Sequence, residues 1–169
     1  IVVTVGNGSQ CHGIPGDTVI KKGDFITMDT GAMLRGYHSD MTRTVALGYV
    51  SDEQKAVYDT VLKAQLAAID AVHAGVCCSD VDKVARDIIE TPYPGTFGHG
   101  LGHGVGFEIH EWPRFSARDN TICEPGMVIT VEPGIYIAGK CGVRIEDMIV
   151  VTEDGCRNLT HSPKALMIL

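Results

Sequence analysis

Much that would announce a function at once is missing from this chain. No Cys-x-x-Cys pair occurs among its six cysteines, Cys11, Cys77, Cys78, Cys123, Cys141 and Cys156, and the vicinal Cys77-Cys78 is ill suited to bridging. In 169 residues they read as reduced thiols of a cytoplasmic protein, not as a disulfide framework. No apolar run approaches a membrane span, and no secretory leader is recognisable. A basic stripe is lacking too: the net charge is −7, which argues against a nucleic-acid partner. Twenty glycines supply neither GxGxxG nor GxxxxGK[ST], so the phosphate-cradling loops are excluded. His110-Glu111 begins the zinc pattern HExxH, but Arg114 takes its last position. Low-complexity tracts and linkers are absent. Length, 44% hydrophobic and 21% charged residues fit one globular domain, residues 1–169, with a real core.

What is there centres on Phe97–Pro113, FGHGLGHGVGFEIHEWP. Glycine falls on every second residue from Gly98 to Gly106, which disfavours a helix. As an extended segment it puts His99, Leu101, His103, Val105 and Phe107 on one side and a bare glycine face on the other. Such a face lets another backbone approach closely. His110 has the opposite parity and needs a bend near Glu108 to join the other histidines. Three histidines in twelve residues point to metal binding or acid–base chemistry.

Around this stretch the chain reads as strands at Ile1–Val5, Phe25–Ala32, Tyr37–Leu47, Met127–Glu132 and Gly142–Thr152. A capping box at Ser51–Gln54 starts a helix over about 52–73. Ser79 caps a second helix over about 79–90, and Arg114–Glu124 is loop-like. Neither helix carries candidate chemistry. A turn is expected around Leu34-Arg35-Gly36; if it is centred between Leu34 and Arg35, Asp29 lies opposite Asp40, within about 5.5 Å on one sheet face. Such acids repel unless a cation lies between them or one is protonated. The plainer alternative is that Asp40 pairs with Arg43. Val128, Thr130 and Glu132 share a face, as do Arg144, Glu146 and Met148. Arg144 either forms a simple ion pair with Glu146 or steadies it as a ligand.

The strand-borne candidates are thus Asp29, Asp40, His103, Glu132 and Glu146. One histidine with four carboxylates is too oxygen-rich for structural zinc and suits harder ions such as manganese. The donor atoms exceed what one ion needs, and two ions roughly 3.5 Å apart would use them all.

The segments MDTGAMLRGYHSDMTRT, FGHGLGHGVGFEIHE, VITVEPGIYI and GVRIEDMIVVTEDGC closely resemble the pita-bread metallopeptidases, the family of methionine aminopeptidase, aminopeptidase P and prolidase. The resemblance implies an α+β fold, a curved antiparallel sheet with helices on its outer face. It implies that Asp29 chelates one metal, that Asp40 and Glu146 bridge two, and that His103 and Glu132 bind the other. The metals would be manganese, with cobalt and zinc as alternatives. His12 and His110 match the family's substrate-binding and proton-handling histidines. His99, with EPGIYI and GVRIED, resembles the proline-specific branch, where Tyr136 and Arg144 support the ligands. The family fold is a pseudo-twofold repeat with helices before each set of strands. Nothing comparable precedes the first strands here, so the chain reads as lacking an amino-terminal part.

The expected activity is hydrolysis of the bond between an amino-terminal residue and a following proline, with Glu132 and His110 moving protons beside the metals. The partners would be short peptides with proline second, and a second copy in a homodimer; neither nucleic acid nor membrane is expected. Methionine aminopeptidase is the rival enzyme, and a catalytically inactive peptide-binding module is the rival of another class. With one helix pair for two sets of strands, the outer face of the first hairpin should be left bare.

Overall fold

A computed structural model describes residues 1–4 and 16–169; His12 and Cys11 lie outside the described residues. The α+β make-up is as expected, with every strand pair antiparallel. In the first half β1 (Val2–Thr4), β2 (Phe25–Thr30) and β5 (Met41–Ala46) form a three-stranded sheet, and β3 (Met33–Leu34) with β4 (Tyr37–His38) makes a small hairpin between its long strands. Helix α1 (Asp52–Asp70) and helix α2 (Cys78–Glu90) follow. The second half has β6 (Gly102–Gly104), β7 (Glu111–Phe115), β8 (Val128–Val131), β9 (Gly134–Ile137), β10 (Cys141–Arg144), β11 (Asp147–Thr152) and β12 (Gly155–Asn158). Five of these form a sheet in the order β12-β11-β8-β6-β7, and β9 pairs with β10.

Helix α1 opens as its sequence predicts. Ser51 Oγ accepts from the Gln54 amide while Gln54 Oε1 accepts from the Ser51 amide, closing the capping box. Its buried stripe of Val57, Val61, Ala64 and Ala68 meets Val81, Ala85 and Ile89 of α2. Both helices pack on Ile129, Val131, Ile149 and Val151, which are the helix-facing positions of β8 and β11. Alternation then sends Thr130, Glu132 and Met148 the other way, toward the first sheet.

Several expectations are corrected. The turn falls within the expected Leu34-Arg35-Gly36 but is centred between Arg35 and Gly36, with φ of 53° and 87°, and not between Leu34 and Arg35. The β2–β5 register therefore moves by two residues, so Asp29 faces Thr42 rather than Asp40. A shift of two preserves the face, because the side-chain period is two. The segment 142–152 is not one strand: β10 pairs with β9 and β11 with β8, and the chain changes sheets at Ile145-Glu146. Residues 111–115, partly read as loop, form β7, an edge strand where Pro113 removes no needed donor. Helix α2 starts at Cys78, with Cys77 as its N-cap and no side-chain cap, so Ser79 is not the cap. Of the alternating glycine run 98–106 itself, Gly102–Gly104 joins the ladder.

The outer face of the first sheet is covered in part, while Val2 on β1 and Met33, Leu34 and Tyr37 at the hairpin tip stay exposed. Residues 162–169 lie along it: Ala46 and Gly48 donate to Met167 O and Leu169 O, and Arg43 donates to Pro163 O and Ser162 O. An apolar groove of about 340 Å³ lined by Met28, Met41, Val45, Met167 and Leu169 remains between them. The five described cysteines are all free.

The glycine face does admit a neighbouring backbone. A Cβ on Gly102 would stand 1.8 Å from Thr130 O, and one on Gly104 would stand 2.6 Å from Trp112 O. Gly102→Ala should therefore force β6 off β8 and destabilise by about 2–4 kcal/mol, lowering Tm by roughly 5–15 °C. An unchanged melt followed by circular dichroism would contradict this packing. A reductant should leave the wild-type melt where it is.

Candidate metal centre and active site

The site forms where the inner face of the first sheet meets the polar face of the second. Asp29 is the penultimate residue of β2, Asp40 immediately precedes β5, His103 is the middle residue of β6, Glu132 follows β8, and Glu146 sits at the sheet change between β10 and β11. All five line one cavity of about 200 Å³, with His99, His110, Arg114, Ser116 and Arg144. One donor atom each from Asp40, His103 and Glu146 lies within 4.8 Å of the others. His103 Nε2 is 3.3 Å from Glu132 Oε1 and 3.7 Å from Asp40 Oδ2. The chain reversal after β6 brings the ring of His110 to 4.3 Å from that of His103, so the bend expected near Glu108 is present.

Hydrogen bonds aim the donors. His103 Nδ1 lies 3.0 Å from Gly104 O; donating there, it leaves the Nε2 lone pair facing the acids. Thr130 Oγ1 accepts from the His103 amide and donates to Glu132 Oε1 at 3.2 Å. Thr42 Oγ1 donates to Glu146 Oε2 at 2.7 Å and accepts from Arg144 Nε at 3.1 Å. Arg144 Nη2 reaches Asp29 Oδ2 at 2.7 Å, and Arg144 Nη1 donates to the Tyr136 hydroxyl. Tyr136 in turn meets His99 Nε2 at 2.9 Å, while His99 Nδ1 faces Gly100 O at 2.8 Å. His99 thus spends both ring nitrogens on the protein.

Arg144 therefore pairs with Asp29, not Glu146, which it reaches through Thr42. Arg43 points to the opposite side of β5 from Asp40 and pairs with Asp147 at 2.7 Å. Thr42 and Thr130 were legible by alternation, each two residues from a candidate acid. Arg114 and Ser116 were not. Only the ladder puts Arg114 opposite His103.

Buried acids without a counter-ion hold their protons. Burial, with Asp29 nearby, raises Asp40 to about 6. Burial raises Glu132 to about 8 against the opposing charge of Arg144. Glu146 is held well above the carboxylate range by burial and then by Glu132 and Asp40. Burial pushes His103 down, toward the neutral ring a ligand needs. Glu146 Oε1 is buried and has no hydrogen-bond partner among the described residues. An orphaned carboxylate oxygen beside a neutral imidazole and two further acids fits a hard divalent cation.

These shifts set a pH dependence. Acids whose folded pKa exceeds the unfolded value bind extra protons when folded, so their stabilisation is lost as pH rises through the folded pKa. His103 acts in the opposite sense, one group against three. The metal-free chain should therefore melt at a lower temperature at pH 8.5 than at pH 5, and manganese should remove most of the difference. A metal-free Tm that rises over this interval would contradict the assignment.

Residues 1–153 match metallopeptidase family M24. The chain is 46% identical over 157 residues to an Xaa-Pro dipeptidase of Pyrococcus furiosus, covering 92% of this chain and 45% of the relative. The solved Xaa-Pro dipeptidase from Bacillus anthracis superposes with a TM-score of 0.97 at 49% identity, over all of this chain and 48% of that one. An X-Pro aminopeptidase from Thermotoga maritima gives 0.97 at 43% identity, again over all of this chain and 48% of that one. The chain thus spans about half the length of the relatives it matches, and it shares their pita-bread fold. It belongs to metallopeptidase family M24.

Proposed function

We propose that residues 1–169 form one catalytic domain of a dinuclear metal-dependent exopeptidase that cleaves between an amino-terminal residue and a following proline. The observation that carries this reading is the convergence of Asp29, Asp40, His103, Glu132 and Glu146 on one cavity, with a buried Glu146 oxygen left unbonded. The names of the relatives, Xaa-Pro dipeptidase and X-Pro aminopeptidase, support the substrate class. Asp29, Asp40, His103, Glu132 and Glu146 would hold the ions, with manganese favoured by the oxygen-rich set. When bound, such ions would lower the pKa of a water toward neutrality and polarise the scissile carbonyl.

The chain's own groups do the rest. Glu132 lines the cavity beside the place where the ions would sit, and its carboxylate is positioned to take and return a proton there. His110, on the cavity wall and open to solvent, is placed to donate to the developing oxyanion. His99, bonded at both nitrogens, braces Tyr136 and through it Arg144, and we assign it a supporting role. Arg114 is exposed on the same wall and offers a guanidinium to the free carboxylate of a dipeptide. This favours a dipeptidase over an enzyme for longer peptides. No helix among the described residues is long and apolar enough to cross a membrane. With its free thiols, we read the protein as cytoplasmic.

The test compares Xaa-Pro dipeptides, Xaa-Pro tripeptides and Met-Ala peptides on the manganese-loaded chain. Xaa-Pro dipeptides should turn over fastest, and Arg114→Ala should raise their KM about tenfold or more, as loss of a charged hydrogen bond implies, with little effect on tripeptides. Faster release of methionine from Met-Ala would favour methionine aminopeptidase. Binding of dipeptide without turnover would favour the inactive module.

A further inference from the structure

The sequence places no chemistry on helix α2, yet one turn of it reaches the histidine stretch. Asp82 is fully buried. Its carboxylate accepts from Arg86 Nε at 2.8 Å and Arg86 Nη2 at 2.9 Å, and its Oδ1 also accepts from the Leu101 amide at 3.0 Å. Arg86 donates onward to Phe97 O at 2.9 Å and His99 O at 2.8 Å, and its guanidinium lies 4.4 Å from the centre of the Phe97 ring.

We propose that Asp82 and Arg86 are positioning residues: their ion pair grips residues 97–101 and so fixes where His99, His103 and Glu132 stand. The three gripped residues, 97, 99 and 101, alternate along a segment that lies outside the β6 ladder. The pair supplies there the hydrogen bonds that a neighbouring strand would make elsewhere. Leu101 passes the restraint on. Its carbonyl accepts from the Glu132 amide at 2.7 Å, and His103 follows two residues later. Neither Asp82 nor Arg86 lines the cavity, so their influence is indirect. A planar guanidinium serves the carboxylate and two carbonyls together, which a lysine ammonium cannot do in the same geometry. The proposal rests on the metal-site reading of His103 and Glu132.

The experiment titrates manganese alone into the whole chain by calorimetry, for wild type, Arg86→Lys, Arg86→Ala and Ile89→Val, with Tm recorded for each. Ile89 is buried on the same helix, belongs to the hydrophobic core and does not line the cavity, so its variant controls for lost stability. Arg86→Ala should weaken manganese binding by about 10- to 100-fold, the usual effect of removing a group that orients a metal ligand. Arg86→Lys should fall between, and methylguanidinium should restore part of the affinity of Arg86→Ala. Ile89→Val should keep wild-type affinity even where its Tm drops. If Arg86→Ala does not fold, Arg86→Lys decides. Folded Arg86 variants that bind manganese like wild type, or an Ile89→Val loss as large as theirs, would overturn the proposal. Weakened binding in the variants beside a wild type that cleaves no Xaa-Pro peptide would uphold the positioning role and sink the peptidase reading instead.

Discussion

Holding four carboxylates around one imidazole, in a cavity where two sheets meet, is the constraint on which the rest depends. Like charges at close range in a poor dielectric are unfavourable, and the fold answers in three ways. Asp40, Glu132 and Glu146 hold their protons to higher pH than free carboxylates do. Arg144 holds Asp29, and two threonine hydroxyls bond Glu146 and Glu132. The third answer is left open, as an oxygen of Glu146 without a partner. The neighbouring acid shows what full satisfaction looks like. Asp147 is as deeply buried, but bonds from Lys164, Asn158, Arg43 and Gln65 outweigh burial and hold its pKa below the usual range. Adjacent in sequence, Glu146 and Asp147 face opposite ways and meet opposite electrostatics.

That opposition also anchors the site. Arg43 donates to the backbone carbonyl of Glu146 at 2.6 Å as well as to Asp147, and the Glu146 amide donates to Thr42 O at 3.0 Å. The sheet change at Ile145-Glu146 is thus pinned from both sides, and the Glu146 side chain stands where β5 and β6 bring Asp40 and His103. Close packing supplies the remaining precision. Gly102 lets β6 lie against β8 at a separation no side chain would allow.

Alternation made much of this legible. It put all five candidates on strands; Asp29 and His103 do lie there, while Asp40, Glu132 and Glu146 sit one residue beyond a strand end, and all five reach the same cavity even though the Asp29–Asp40 register was off by two. The error arose at Arg35, a non-glycine residue at positive φ, which ordinary turn preferences do not signal. Sheet membership was hidden for a different reason. The run Gly142–Thr152 is uniformly β-prone, so nothing local marks the point where the chain leaves one sheet for another. Strand β7 was masked by charge and proline, and with it the place of Arg114. In sequence Asp82 and Arg86 are an i,i+4 pair like Lys83 and Asp87 on the same helix. Burial alone separates the two, and burial is a property of the tertiary fold.

The chemistry of this site turns on whether its acids hold divalent cations. Equilibrium dialysis of the folded chain against manganese at pH 8, read by elemental analysis, tests it most directly. The expected result is about two ions per chain, with Glu146→Gln losing most of this binding while keeping its fold. A folded wild-type chain that takes up no divalent ion under these conditions would contradict it.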